Sequence, residues 1–401
     1  MASDRSNQNK PNLVRRTPFP SSVSGAVGTP LQPAVVYASP DANALDDQYE
    51  GRAKGYTYAR EGHPNADVVA AKIDALEASP TQGLVLGSGM GAISAVFLGL
   101  LRAGDHIVAG DQLYGRSLRL LTQDLPRFGI ECTFVDAGDA ANVAAAMRPE
   151  TKLVMVEVVS NPTLRIADLD GIAAVTANHE ALLMVDNTFT TPRAIRAYDH
   201  GADIVIHSVT KLLAGHSDVT LGYVSVADAA LRQPINDAAV TWGLTPSPWD
   251  CWMAERGLHS FDLRFERAQR NAGMIADHLA GLAGVEAVIY PGRRDHPDAA
   301  KADALLGSNP GNMVSFRIAG GRTQANAFIR AAGEIPFAPT LGDIGTTLSH
   351  PASSSHRGLT AEARADLGIT EGFFRLSVGI EEPALLISEL TAAVAAAQGS
   401  L

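Results

Sequence analysis

Two runs decide the fold: Leu153-Val154-Met155-Val156-Glu157-Val158-Val159 and, further on, Ala181-Leu182-Leu183-Met184-Val185-Asp186. Each is almost continuously apolar, without the polar alternation of a half-exposed strand. Runs of this kind suit strands covered on both faces, the mark of a mostly parallel sheet with crossover helices. Outward from this pair lie further β-rich runs at Leu84–Leu86, His106–Ala109, Cys132–Val135, Ile204–His207 and Leu221–Val226. Helical patterns such as Met90–Arg102 and Leu118–Phe128 separate them. The expected architecture is α/β, with a mostly parallel central sheet and flanking helices.

After residue 258 the texture changes. An Arg-rich helical stretch, Arg264–Leu282, precedes Val285–Tyr290, Met313–Ile318, Thr323–Ala332 and Phe374–Val378, and a terminal helix follows Glu381. This predicts a smaller C-terminal α+β domain. The expected division is an N-terminal segment over residues 1–62, an α/β domain over 63–258 and the smaller domain over 259–401. Within the first segment, residues 1–30 are polar and rich in Ser, Asn and Pro. They read as a poorly ordered arm or an extended segment lying on a neighbour.

Composition narrows the function. Of 401 residues, 46% are hydrophobic and 19% charged, which supports sizeable cores and argues against wholesale disorder. A net charge of −11 disfavours nucleic acid and anionic membranes as partners. Cys132 and Cys251 form no C-x-x-C pair, and the histidines show no metal-ligand spacing, so no metal is expected and the reducing cytoplasm is the natural compartment. The longest apolar stretch, around Gly91–Leu101, is shorter than the ~20 residues a membrane helix needs. Residues 1–20 contain no apolar signal core.

The segment Gly87-Ser88-Gly89-Met90-Gly91-Ala92 follows a strand and opens a helix. Backbone N–H groups at such a helix start, with the positive end of the helix dipole, hold a phosphate. The segment also matches G-x-G-x-x-A with Asp111 downstream, so a nicotinamide-dependent reductase enters as one reading. A bare strand-to-helix turn is another.

A second constellation weighs against both. Lys211 follows a predicted buried strand in Ile206-His207-Ser208-Val209-Thr210-Lys211, at the strand end where ligands of open α/β sheets bind. Burial and nearby positive charge lower a lysine pKa and make the amine a nucleophile toward carbonyls. Asp186 ends an apolar run, and a carboxylate buried there needs a cation, which a protonated pyridine nitrogen supplies. The bland account makes Lys211 a surface lysine and Asp186 a helix N-cap.

These residues stand in an order that resembles the cystathionine γ-synthase/γ-lyase group of pyridoxal-phosphate enzymes, the Cys/Met-metabolism family of fold type I. The resemblance runs from about residue 30 to the C-terminus. It is carried by Tyr58-Ala59-Arg60, Ser88-Gly89-Met90, Asp111-x-x-Tyr114-Gly115, Glu157-x-x-Ser160-Asn161-Pro162-Thr163, Asp186-Asn187-Thr188, His207-Ser208-x-Thr210-Lys211, His350-Pro351-Ala352 and Arg375-x-Ser377-x-Gly379-x-Glu381. It implies that Lys211 bonds covalently to pyridoxal 5'-phosphate and that Asp186 pairs with the pyridine nitrogen. Tyr114 would stack on the ring and assist proton transfer, and Asn161 would lie near the ring hydroxyl. Gly89, Met90, Ser208 and Thr210 would hold the phosphate, while Tyr58 and Arg60 would reach the phosphate of an adjacent subunit. Arg375 would grip the substrate α-carboxylate, with Thr340 in the same substrate-binding stretch. The implied protein is a dimer or tetramer with shared active sites, acting by elimination or replacement on a γ-substituted amino acid. A β-lyase or an O-acylhomoserine sulfhydrylase is the alternative within the class.

Departures from the family pattern bear on specificity. The N-P-T after the Tyr-x-Arg pair reads His63-Pro64-Asn65 here, and the position before that tyrosine, acidic in several cystathionine-handling members, is Thr57. Thr340-Leu341-Gly342-Asp343-Ile344-Gly345 carries glycine where the family's S-L-G-x-x-E has glutamate, and Pro339 precedes it. Position 116, cysteine in methionine γ-lyases, is Arg116. Two carboxylates suited to the distal ammonium of cystathionine are therefore absent, unless Asp343 substitutes. The expected substrate is a homoserine-type amino acid with another γ-group, oxygen-linked as in an O-acyl-homoserine or canavanine. Of the remaining features, Trp242, Trp249 and Trp252 lie in a segment read as loop-rich and are expected to pack subunits or domains. Arg264, Arg267 and Arg270 are expected on a solvated or interface face of one helix.

Overall fold

The computed structural model describes residues 20–399. The arm expected over residues 1–30 thus falls largely outside the described residues. Residues 20–31 belong to a separate unit and take up neither helix nor strand.

The rest of the chain carries two sheets. The first is built from β1 (Leu84–Leu86), β2 (His106–Gly110), β3 (Glu131–Val135), β4 (Thr151–Glu157), β5 (Leu182–Asp186), β6 (Ile204–His207) and β7 (Gly222–Val226), in the order β1-β7-β6-β5-β4-β2-β3. Strands β2 to β6 are all parallel, and β7 runs antiparallel to both β6 and β1. The quoted apolar runs divide their side chains between two cores. Leu153, Met155, Met184, Ile204 and Ile206 pack with Ala92, Val96 and Phe97 of the helix Gly89–Leu100. Val154, Val156, Leu183, Val185 and Val205 face the other way, onto Leu169 and Ile172 of the helix Leu169–Asn178. Period-two alternation between two apolar surfaces explains why no polar alternation is visible in the sequence.

The second sheet is antiparallel, in the order β10-β11-β9-β8, with β8 Val285–Ile289, β9 Met313–Ile318, β10 Thr347–Ser349 and β11 Phe373–Ser377. Phe316, Phe328 and Phe374 form its aromatic centre, with ring centroids 4.8–5.6 Å apart. The helix Phe261–Ala280 links the two cores. Phe261 and Phe265 pack with Leu213 and Tyr223 of the first, and Ile275 and Leu279 with Phe316 and Leu376 of the second.

Three local expectations are corrected. The segment around Pro248 is not a loop: Pro248–Leu258 is a helix with Pro248 in its first turn and the Ser247 side chain capping it. Proline there forfeits no intrahelical bond, so it starts a helix rather than breaking one. Trp249 and Trp252 stand on that helix with ring centroids 5.9 Å apart. The run Leu118–Phe128 is not one regular helix; it passes from Gly115–Arg119 through a π-turn, Leu120–Asp124, to a 3-10 turn, Leu125–Phe128, where Pro126 falls. Arg264 is not on a solvated face. It is 6% exposed and donates to the carbonyls of Leu212, Leu213 and Gly257 at 2.9–3.0 Å. Arg267 and Arg270 do keep to the surface side, paired with Glu382 and Glu266.

Candidate active site

Parallel pairing brings the C-terminal ends of β4, β5 and β6 to one edge of the sheet. Glu157 and Asp186 are register partners there, and the turn after β6 carries Lys211. Above them lies a cavity of about 220 Å³, lined on one side by Ser88, Gly89, Met90 and Tyr114 and on the other by Pro339, Thr340, Leu341 and Arg375. Asn161, Asp186, Ser208, Thr210 and Lys211 also line it.

Lys211 Nζ donates to Thr340 Oγ1 at 3.4 Å. Burial lowers its pKa, and the Arg375 charge lowers it further. Asp186 Oδ1 accepts from Thr188 N at 3.0 Å and Thr188 Oγ1 at 2.5 Å. Burial raises the Asp186 pKa, and those two donors offset part of the rise. Glu157 accepts from Tyr114 N at 2.6 Å and is pushed well above the carboxylate range by burial and then by Asp186 beside it. The two Thr188 donors favour the ionised form of Asp186, while Asp186 beside it disfavours that form of Glu157.

The helix Gly89–Leu100 points its N-terminus into the cavity. Ser88 caps it by accepting from Gly91 N at 2.9 Å. The N–H groups of Gly89 and Met90 have no acceptor within the helix, as in any first turn. A Cβ on Gly89 would stand 2.7 Å from Ser208 Cβ, so glycine is what lets this turn approach the β6 loop. The hydroxyl of Thr210 is shared with Leu221, donating to its carbonyl and accepting from its N–H. On the opposite wall, Arg375 is 5% exposed. Its Nη1 donates to Asn161 Oδ1 at 2.5 Å and its Nη2 to Thr340 O at 2.9 Å, while Nε has no partner among the described residues. Burial lowers its pKa to about 10.

The expected site residues therefore fall into two groups. Gly89, Met90, Tyr114, Asn161, Asp186, Ser208, Thr210, Lys211, Thr340 and Arg375 converge on the cavity. Tyr58 and Arg60 do not line it; both are exposed, with the Arg60 guanidinium 5.6 Å from the Tyr58 ring centroid. Arg116 is exposed and also outside the lining. Asp343 is turned onto Gly345 N at 2.8 Å and does not line the cavity. Of the cavity residues outside the expected set, two charged or aromatic ones stand out, Glu157 and Phe189. Glu157 stood in a quoted motif, but its strand position gave no sign that it would share a wall with Asp186. Phe189, 5.7 Å beneath the Arg375 guanidinium, carried no signal at all.

These residues fit pyridoxal phosphate on two observations. A helix start with free N–H groups, next to a glycine that a Cβ would block, suits a phosphate. A buried Asp186 carboxylate suits a pyridinium, with the amine of Lys211 in the same cavity to engage the aldehyde.

Comparison with known proteins gives the same result. The sequence profile described as Cys/Met metabolism PLP-dependent enzyme matches residues 12–395. The chain is 37% identical over 367 residues to a cystathionine gamma-lyase of Bacillus subtilis, covering 92% of this chain and 94% of that one. It is 36% identical over 370 residues to an L-methionine gamma-lyase of Porphyromonas gingivalis, covering 91% and 92%. The crystal structure of a cystathionine gamma synthase from Xanthomonas oryzae pv. oryzae in complex with cystathionine superposes with a TM-score of 0.88 at 36% identity, covering 95% of this chain and 96% of that one. The nicotinamide reading falls with these findings, and the fold is that of fold type I enzymes. The chain belongs to the PLP-dependent enzymes of Cys/Met metabolism, whose members act as carbon–sulfur lyases or γ-replacing synthases.

Proposed function

We propose that this enzyme carries out γ-elimination or γ-replacement on a homoserine-type L-amino acid whose γ-group is not the cysteinyl group of cystathionine, with an oxygen-linked γ-substituent the best fit. One observation carries the reading. Among the described residues, the only carboxylates lining the cavity are Glu157 and Asp186, both on the sheet edge that forms its floor. The stretch Pro339–Gly345 contributes none, because Asp343 caps Gly345 N and Glu381, beside Gly345, is bound to Thr346. A site without a partner for a distal ammonium loses the discrimination that such a partner gives.

In this reading, Arg375 holds the substrate carboxylate through its two-pronged fork, supported by Asn161 and the Thr340 carbonyl. Pyridoxal phosphate supplies an electron-accepting ring that takes up the charge left at the substrate Cα. Lys211, its pKa lowered by burial and by Arg375, takes and returns protons at Cα. Tyr114, 45% exposed at the cavity mouth, assists proton transfer at Cβ. Tyr58 and Arg60, exposed on this chain, serve the neighbouring site of a dimer or tetramer. The free thiols Cys132 and Cys251 fit a reducing cytoplasm.

The test is kcat/KM across cystathionine, methionine, O-acyl-homoserines and canavanine, with product analysis with and without added thiol. Canavanine or an O-acyl-homoserine should lead the series by about tenfold or more over cystathionine. Cystathionine as the best substrate overturns the reading. Pyruvate as the main product would assign a β-lyase instead.

A further inference from the structure

Arg375 is a buried cation without a counter-ion. It stands in β11 at 5% exposure, and among the described residues no carboxylate comes within ion-pairing reach of it. Glu157 acts on its charge through space but makes no ion pair with it. Its hydrogen-bond partners are neutral, the Asn161 amide oxygen and the Thr340 carbonyl, and both engage N–H groups in the guanidinium plane. The third partner is of another kind. The guanidinium carbon lies over the Phe189 ring, 5.7 Å from its centroid, and among the described residues no other ring is so placed against Arg375.

A charge taken out of water costs free energy unless something offsets it, and burial lowers the Arg375 pKa to about 10. A protein carboxylate would offset the cost, but it would also occupy the N–H groups that a substrate carboxylate needs. An aromatic face attracts the cation through the ring quadrupole and takes up no N–H. Phe189 has a fixed place from which to do this. It is carried by the loop after β5, where Asn187 N donates to Ile206 O at 3.0 Å, Thr191 N to Asn187 O at 2.8 Å, and Thr188 to Asp186. Its ring is partly buried, lines the cavity and packs against the core that includes Ile195 and Leu341. One loop of the first sheet therefore follows Asp186 directly and, three residues on, meets the arginine of the second sheet.

We propose that Phe189 is a positioning residue for the substrate carboxylate: its ring face holds the buried Arg375 guanidinium in place over the cavity without taking up an N–H group. The proposal rests on the reading that Arg375 binds that carboxylate. The ring also ties the arginine to the loop that carries Asp186, so the carboxylate and the cofactor are held at a set separation.

The experiment titrates the holoenzyme with glycine and, separately, with methylamine, following the cofactor's visible absorbance. Both probes bind through an amine, and only glycine carries a carboxylate. Phe189→Leu keeps an apolar side chain but has no ring face. It should weaken glycine by roughly tenfold or more and leave methylamine unchanged. Phe189→Tyr keeps the face and should bind glycine as the parent does. Trifluorophenylalanine incorporated at position 189 keeps the ring's shape but drains its face of negative potential. It should weaken glycine alone, and it decides the matter if Phe189→Leu does not fold. Full glycine affinity in the fluorinated protein, or an equal loss of both probes, overturns the proposal. Arg375→Gln separates the proposal from the reading beneath it. If that variant loses glycine and the Phe189 variants do not, the proposal fails alone. If it binds glycine as the parent does, the carboxylate reading fails, and the proposal with it.

Discussion

Arg375 Nη1 lies 2.5 Å from Asn161 Oδ1, and Nη2 lies 2.9 Å from the Thr340 carbonyl, while the equally buried Nε has no acceptor among the described residues. One N–H on each Nη is thus spent on aiming the guanidinium, and Nε, the other Nη hydrogens and the charge remain for an anion. A lysine cannot reproduce that fork. Arg375→Lys should raise KM and lower kcat/KM by roughly a hundredfold, equivalent to about 2.7 kcal/mol. Steady-state kinetics on the preferred substrate check this, and an unchanged KM would remove Arg375 from substrate binding.

The same charge acts on Lys211, whose pKa is lowered by burial and then by Arg375. A lysine reacts with an aldehyde as the neutral amine, so its reactivity rises as pH climbs through its pKa. Removing the neighbouring cation raises that pKa, and the reactive form then appears only at higher pH. In Arg375→Gln apoprotein, the midpoint for covalent uptake of pyridoxal phosphate should therefore move up, by about one pH unit or less. Uptake is followed by absorbance after rapid mixing across pH. Lys211→Ala should show no borohydride-stable mass adduct at any pH.

The strands were legible from their runs of apolar residues. Ile204–His207 and Met313–Ile318 are strands to the residue, whereas Leu153–Val159 begins two residues late and overruns by two, since β4 is Thr151–Glu157 and Val159 leaves the sheet to bridge Ile166. What could not be read was set by partners distant in sequence. The burial of Arg264 depends on carbonyls of residues 212 and 213, and Glu157 lines the cavity only because β4 pairs with β5 in that register. The antiparallel course of β7 follows from its connection to β6, which carries no crossover helix. Thr347–Ser349 is too short for a period-two pattern to register.

Gly342 couples the substrate-side wall to Lys211. Its φ is +78°, and a Cβ would stand 2.5 Å from Leu212 N and 2.8 Å from Lys211 C. Both the left-handed backbone and the contact oppose any side chain. Gly342→Ala should cost roughly 1–3 kcal/mol of stability and move Thr340 away from Lys211. Thermal unfolding of the holoenzyme measures the first effect, and an increased KM the second. A variant as stable and as active as the parent would contradict this account.

Arg264 supports the same loop from below. Its guanidinium donates to Leu212 O, Leu213 O and Gly257 O, and it lies so close over Gly215 that a Cβ there would meet Nη1 at 1.9 Å. The carbonyls of Leu212 and Leu213 follow Lys211 in the chain outside any strand, and the guanidinium gives them the hydrogen bonds that a sheet would have given, while its bond to Gly257 O ties the loop to the helix Pro248–Leu258. Burial disfavours the charge, lowering the Arg264 pKa, and Asp343 acts in the opposite sense. Arg264→Met fills similar space but leaves the carbonyls without a donor, at about 1–3 kcal/mol for each buried group left unpaired. The expected loss is roughly 3–5 kcal/mol in denaturant unfolding, together with weaker cofactor retention, because the Lys211 loop loses its anchor. Arg264→Lys retains one compact donor and should recover part of the stability. If Met is tolerated without loss, these bonds do not hold the loop.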